Sequence, residues 1–213
     1  MFPELELIAR LFAGFDQPWF FAGGWALDLF LSRQTRPHQD VEIAVLRRDQ
    51  LAVQQYLPDW RFEKAVSAPA SLRLPWPCGE WLDLPVHEIH AFSPAGAELE
   101  VLLNESDGDD WVFRRNPTVR RPLSQVGVTF AVGFPYLRPE IVLLYKAKNP
   151  QGRDEADFEN VLPFIDVENI LWLREKLSQC HPQHAWLTKL QPPHSDFTDR
   201  ISDPRRAGRR ADS

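Results

Sequence analysis

The stretch WFFAGGWALDLFLSRQTRPHQDVEIAVL, residues 19–46, decides how the rest of the chain is read. It opens on a short apolar run, Trp19-Phe20-Phe21, passes through Gly23-Gly24, and continues from Trp25 to Leu31 with its apolar residues at helical spacing. After the polar segment Ser32 to Gln39 the pattern alternates. Val41, Ile43 and Val45 fall on one face of a strand, and Asp40, Glu42 and Ala44 on the other. An Asp-x-Glu on a strand sets two carboxylates side by side, their Cα atoms roughly 6–7 Å apart. Such a pair suits magnesium, a hard ion usually held by one or two carboxylates together with substrate phosphates. It equally describes the solvated face of a half-exposed strand. Two glycines before a helix let the backbone approach a phosphate while the helix N-terminus offers free N–H groups; read alone, they are also a tight turn. Together the two features point to nucleotidyl transfer, in which one or two divalent ions neutralise a triphosphate and align the attacking and leaving oxygens.

Working outward, residues 3–14 form an amphipathic helix with Leu5, Ile8, Leu11 and Phe12 on its apolar side, opened by Pro3 and closed near Gly14. Residues 49–57 read as helix and 66–80, rich in Pro and small residues, as loop. Strands are expected at Val86–Phe92 and Glu98–Asn104, joined by Ser93-Pro94-Ala95-Gly96 as a hairpin, and a short one at Trp111–Arg115. Past Pro139 the character is helical, over 139–148, 154–162, 167–179 and 182–190. The segment 191–213, dominated by Pro, Asp and Arg, is expected to be a disordered tail. These elements give an α/β (α+β) chain: a core over 1–135 with a short mixed β-sheet flanked by helices, then a helical C-terminal part over 136–190.

Composition narrows the function. The 213 residues are 44% hydrophobic, enough for a real core, and carry a formal net charge of −6. That balance argues against holding nucleic acid by bulk electrostatics, although a local basic groove stays open. Cys78 and Cys180 lack metal-type spacing and read as reduced thiols. Glu4 and Glu6 precede any apolar run, the reverse of a secretory signal, and no apolar stretch approaches the roughly 20 residues of a membrane span, so a cytoplasmic protein is expected. No P-loop, dinucleotide fingerprint, Gly-x-Ser-x-Gly or His-Glu-x-x-His is present.

The runs Ala22-Gly23-Gly24-Trp25-Ala26-Leu27-Asp28 and Thr35-Arg36-Pro37-His38-Gln39-Asp40-Val41-Glu42 resemble the nucleotidyltransferase superfamily of the DNA polymerase β type. They look closest to its antibiotic-modifying branch of lincosamide and aminoglycoside 2″-adenylyltransferases. The segment Pro139 to Lys148 followed by Arg153-Asp154-Glu155-Ala156-Asp157-Phe158 is similar to the family's helical second half. The resemblance implies that Asp40 and Glu42 are paired metal ligands and that Gly23 and Gly24 form the phosphate-binding turn. It implies a third acid on a neighbouring strand, where Glu98 and Glu100 are the candidates. Glu100, deeper in its strand, is preferred as ligand or as general base. Lys146 would face the triphosphate as a point charge. Glu replaces the commoner Asp at the second and third acid positions.

Other residues carry two readings each. His38 touches phosphate or bonds loop backbone. Asp28 supports the glycine turn, and Asp154 and Asp157 fit N-cap and N3 positions of a helix. His87 and His90 sit at i and i+3, which on a strand face opposite ways and do not make a zinc pair. Arg114, Arg115, Arg120 and Arg121 face an anionic acceptor or water, and Trp76 and Trp81 either stack on a ligand or belong to the core. The function implied is metal-dependent transfer of a nucleoside monophosphate, AMP first, to a hydroxyl of a small molecule, an antibiotic among the candidates. The competing readings are transfer to RNA or protein, and an inactive nucleotide-binding module.

Overall fold

The computed structural model describes residues 2–68, 70–130 and 133–191. Helix α1 (Pro3–Leu11) starts at a residue without an N–H to leave unpaired, carries Glu4 and Glu6 in its first turn and Arg10 in its last, and buries Leu5 and Ile8. Strand β1 (Trp19–Phe21) feeds α2 (Gly23–Leu31), whose Trp25, Ala26, Leu27 and Leu29 are buried. Then come β2 (Glu42–Leu46), α3 (Gln50–Tyr56), β3 (Arg61–Ala68), β4 (Ala70–Pro75), β5 (Glu88–Phe92), β6 (Glu98–Asp107) and β7 (Asp110–Val112). The chain continues through three short strands, β8 (Arg120–Pro122), β9 (Gly127–Thr129) and β10 (Pro135–Leu137), into α4 (Pro139–Lys146), α5 (Gly152–Val161) and α6 (Val167–Cys180).

The main sheet runs β4-β3-β5-β6-β2-β1-β10-β9, with β7 and β8 continuing from the far half of β6. It is mixed: β2 lies parallel to β6 and β1 parallel to β10, while the remaining pairs are antiparallel. The alternation read at residues 41–45 sets what each face carries. Ile43 is the register partner of Val101, and Val101 of Ile89, and all three are buried core. One residue along, Glu42 pairs with Glu100 and Glu100 with His90, so the opposite face of the same three strands carries the polar row. No helix among the described residues is long and apolar enough to cross a membrane.

Several local expectations change. Residues 66–75, expected as loop, belong mostly to the β3/β4 hairpin: β4 is an edge strand, where the missing N–H of Pro75 costs little and small side chains suffice. The strand expected at Trp111–Arg115 is confined to Asp110–Val112. Helix α5 starts at Gly152, two residues early, because Gln151 and Asp154 close a reciprocal capping box; Asp154 is therefore N3 and Asp157 lies inside the helix. The last expected helix is a short 3-10 turn over Ala185–Thr188, pinned by Trp186 stacked at 4.2 Å on Phe158. Trp76 is core, edge-on to Phe62, whereas Trp81 is exposed. Cys78 and Cys180 are unpaired thiols. The tail expected over 191–213 lies, apart from Gln191, outside the described residues.

Candidate active site

A cleft of about 820 Å³ opens between the polar face of β2 and β6, the N-terminus of α2 and the end of α4. Seven of the residues singled out in the sequence line it, Gly23, Gly24, His38, Asp40, Glu42, Glu100 and Lys146. Asp40, expected on the strand beside Glu42, sits instead on the bend before β2, with its carbonyl accepting a hydrogen bond at 3.0 Å from the Trp25 indole. Gly23 has φ +56°, in the left-handed region, and a Cβ there would collide with the Glu42 carboxylate. The glycine turn and the strand acid are thus in direct contact.

The acids repel one another. Burial, then Glu42, Glu88 and Asp40, push the Glu100 carboxyl up to about 8. Burial also raises Glu42, with Lys146 opposing and Asp40 adding to the rise. Of the two candidates for third acid, Glu100 faces the cleft, while Glu98 is partly exposed and engages Arg73 at 3.0 Å. His90 is buried in the same row, its Nε2 2.8 Å from Glu88 and its Nδ1 3.1 Å from Glu98 and 3.5 Å from Glu100. Its place in this cluster was not legible from the His87-x-x-His90 spacing. Its group is completed by Glu88, two residues back on the same strand, and by Glu100, its register partner on β6, while His87 precedes the strand and lines the cleft without joining the group.

Two anchors behind the cleft hold the loop between α2 and β2. Asp28, fully buried, accepts hydrogen bonds from the Thr35 N–H at 3.0 Å and hydroxyl at 2.6 Å, and its other oxygen lies 2.5 Å from His38 Nε2. His38 also lies against the Trp25 ring at 4.3 Å, and a side chain at Gly24 would strike it. Asp28 thus holds the loop after α2 rather than the glycine turn it was expected to support, reaching that turn only through His38 against Gly24. The second anchor escaped the sequence: Arg36 makes a two-pronged pair with Asp157, 3.1 Å at each nitrogen. Burial alone would raise Asp157, but the Arg36 fork and then Lys146 outweigh it and hold the carboxyl below its ordinary value. Lys146 is not a free cation, because it is paired at 2.5 Å with Asp154 and 3.0 Å with Asp157.

The four arginines expected as one cluster divide. Arg121 is buried against Glu140 at 2.5 Å and Asn169 at 2.7 Å, and Arg120 pairs with Asp107. Only Arg114 and Arg115 line the cleft, near His87, which also lines it.

With this geometry in view, the fold has solved counterparts. The lincomycin-bound crystal structure of the lincosamide antibiotic adenylyltransferase LnuA aligns at a TM-score of 0.53 and 18% identity, over 78% of this chain and 98% of that one. The crystal structure of ANT(2″)-Ia in complex with adenylyl-2″-tobramycin aligns at 0.56 and 13%, over 83% and 98%, and its solution structure at 0.54 and 16%, over 83% and 92%. At such identities these likenesses speak for the fold. Among curated proteins none matches the chain. Sequence evidence for the family comes from residues 4–127, which hold the glycine turn, Asp40, Glu42 and Glu100, and Arg114 and Arg115: they match the aminoglycoside-2″-adenylyltransferase family model, and the chain belongs to that family of nucleotidyltransferases.

Proposed function

We propose that the protein moves AMP from ATP to a hydroxyl group of a small molecule in the cytoplasm, with magnesium held by Asp40, Glu42 and Glu100. The observation that carries this reading is the contact of Gly23 with Glu42, beside Glu42's register partner Glu100. It supports the reading because a glycine turn meets two acids that form no ion pair with a Lys or Arg among the described residues, Lys146 being paired with Asp154 and Asp157. An all-carboxylate donor set with a raised Glu42 and Glu100 fits a hard divalent ion. When bound, that ion supplies charge neutralisation at the triphosphate and alignment of the reacting oxygens.

The chain's own residues do the rest. Gly23 and Gly24 keep the N-terminus of α2 bare, so its free N–H groups face the triphosphate. Asp28 and Asp157, from behind, hold the loop that carries His38 and Asp40. Glu100, once its neighbours' charge is balanced, ionises and takes the proton from the acceptor hydroxyl. The hydroxyl oxygen bonds to the α-phosphorus, the bond to pyrophosphate breaks, and the pyrophosphate leaves with its electron pair. Transfer to RNA would call for a basic groove, and two of the four candidate arginines are committed elsewhere.

The test is incubation of the purified protein with α-labelled ATP, magnesium and a cell extract. Label is expected in the small-molecule fraction, and Asp40→Asn and Glu42→Gln are each expected to abolish it together with magnesium-dependent stabilisation by nucleotide. Label on RNA or protein alone, or full transfer by both variants, would sink the proposal.

A further inference from the structure

Arg114 and Arg115 stand out among the cleft's cations: Arg36 and Lys146 are paired with acids and Arg153 is exposed, whereas these two are partly buried without a counter-ion. Among the described residues neither has a carboxylate within ion-pair distance, and the acids around them are taken. Glu105 holds Arg47 at 2.7 Å, and Glu88 faces His90 at 2.8 Å. Arg115 spends one nitrogen on the Tyr145 carbonyl at 2.6 Å, and its Nε is buried with no partner at all. Arg114 makes no hydrogen bond among the described residues, and its guanidinium lies 5.5 Å from the centre of the Tyr145 ring. Burial, joined for Arg115 by the neighbouring Arg114, depresses both, Arg115 to about 10. Two adjacent, partly desolvated guanidinium groups in a cleft are costly without an anion, and their forked donors match phosphate and carboxylate oxygens.

Their contacts set them apart from the residues assigned to the triphosphate. The glycine turn meets Glu42 and His38, and Arg36 and Lys146 pair with Asp157, whereas among the described residues neither Arg114 nor Arg115 makes a hydrogen bond or ion pair with any of these. Arg114 instead lies over Tyr145, with Glu88 and Glu105 as its nearby acids, and Glu88 is also a charged neighbour of Glu100, the residue assigned to the acceptor hydroxyl. We propose, resting on the transfer reading above, that Arg114 and Arg115 bind an anionic group, phosphate or carboxylate, on the acceptor. The protein is then built for a hydroxyl-bearing acid or phosphate ester rather than for a polycation such as tobramycin.

The experiment uses the full chain loaded with magnesium and a non-hydrolysable ATP analogue, titrated calorimetrically with inorganic phosphate, glucose 6-phosphate, glucose and tobramycin. Phosphate and glucose 6-phosphate are expected to bind, and glucose and tobramycin not. Arg114→Gln, chosen because it removes no hydrogen bond, should weaken both anions by ~10-fold or more while leaving analogue affinity within ~2-fold. Arg115→Lys, which keeps the charge and loses the fork, should fall between. Equal anion binding by wild type and Arg114→Gln, or none by wild type, overturns the proposal. A matching loss of analogue affinity in Arg114→Gln overturns it too, by handing the arginines to the nucleotide. Failure of wild type to bind the analogue defeats the transfer reading instead, and the anion comparison, repeated on the unloaded protein, still decides whether the arginines are an anion site.

Discussion

Glu100 sits in an environment far from that of a surface carboxylate, and its proton is linked to stability. Its folded value, about 8, lies above the ordinary 4.5, so the folded protein holds a proton that the unfolded chain releases between those values. The metal-free protein should therefore lose stability as pH rises through that window and regain it as pH falls. Glu100→Gln removes the dependence. Its melting temperature without metal is expected to match wild type near pH 4.5 and to exceed it by roughly 3 °C or more at pH 8.5, for about 1 kcal/mol of relieved repulsion. Parallel melting curves at both pH values would show that Glu100 is solvated rather than crowded. The sequence displayed this acid well: alternation around Leu99, Val101 and Leu103 assigned its face, and its depth in the strand favoured it over Glu98. It could not display the Glu98 and Glu100 partners of His90, which come from another strand, or Asp157, the partner of Arg36 from 121 residues away.

The loop between α2 and β2 is the element on which the site turns, and it is held by side chains that do not line the cleft. Asp28 spends both oxygens there, and it is fully buried. Asp28→Asn should set an amide N–H₂ against either His38 Nε2 or the Thr35 donors, leaving a buried donor unmatched at about 1–3 kcal/mol. A lower melting temperature is expected, together with weaker magnesium-nucleotide binding, although no cleft residue is changed. Wild-type values for both in the variant would show that the loop needs no such anchor. Elements of five or more residues with a clear period, such as α2, β2 and β6, were readable in the sequence. The strands β8, β9 and β10, three residues each, are too short to express a period, and β4 hid behind its closing proline, Pro75, which an edge strand tolerates.

Across the whole molecule the described fold closes at Leu190, which is fully buried, just after Trp186 stacks on Phe158. Beyond it the sequence offers little apolar surface apart from Phe197 and Ile201. Removal of residues 192–213 is expected to shift the melting temperature by less than ~2 °C, since ordering such a segment costs more than it returns. A drop of many degrees in the truncated protein would refute this. The parallel pairing of Phe21 with Tyr136 has a consequence for biosynthesis. The strand leading into the glycine turn is made early, yet its second neighbour, β10, leaves the ribosome only after more than a hundred further residues, several seconds later at about 5–20 residues per second. A nascent chain paused short of residue 135 would already own the acids of β2 and β6 while presenting β1 as a bare edge, an invitation to a stray strand from another polypeptide.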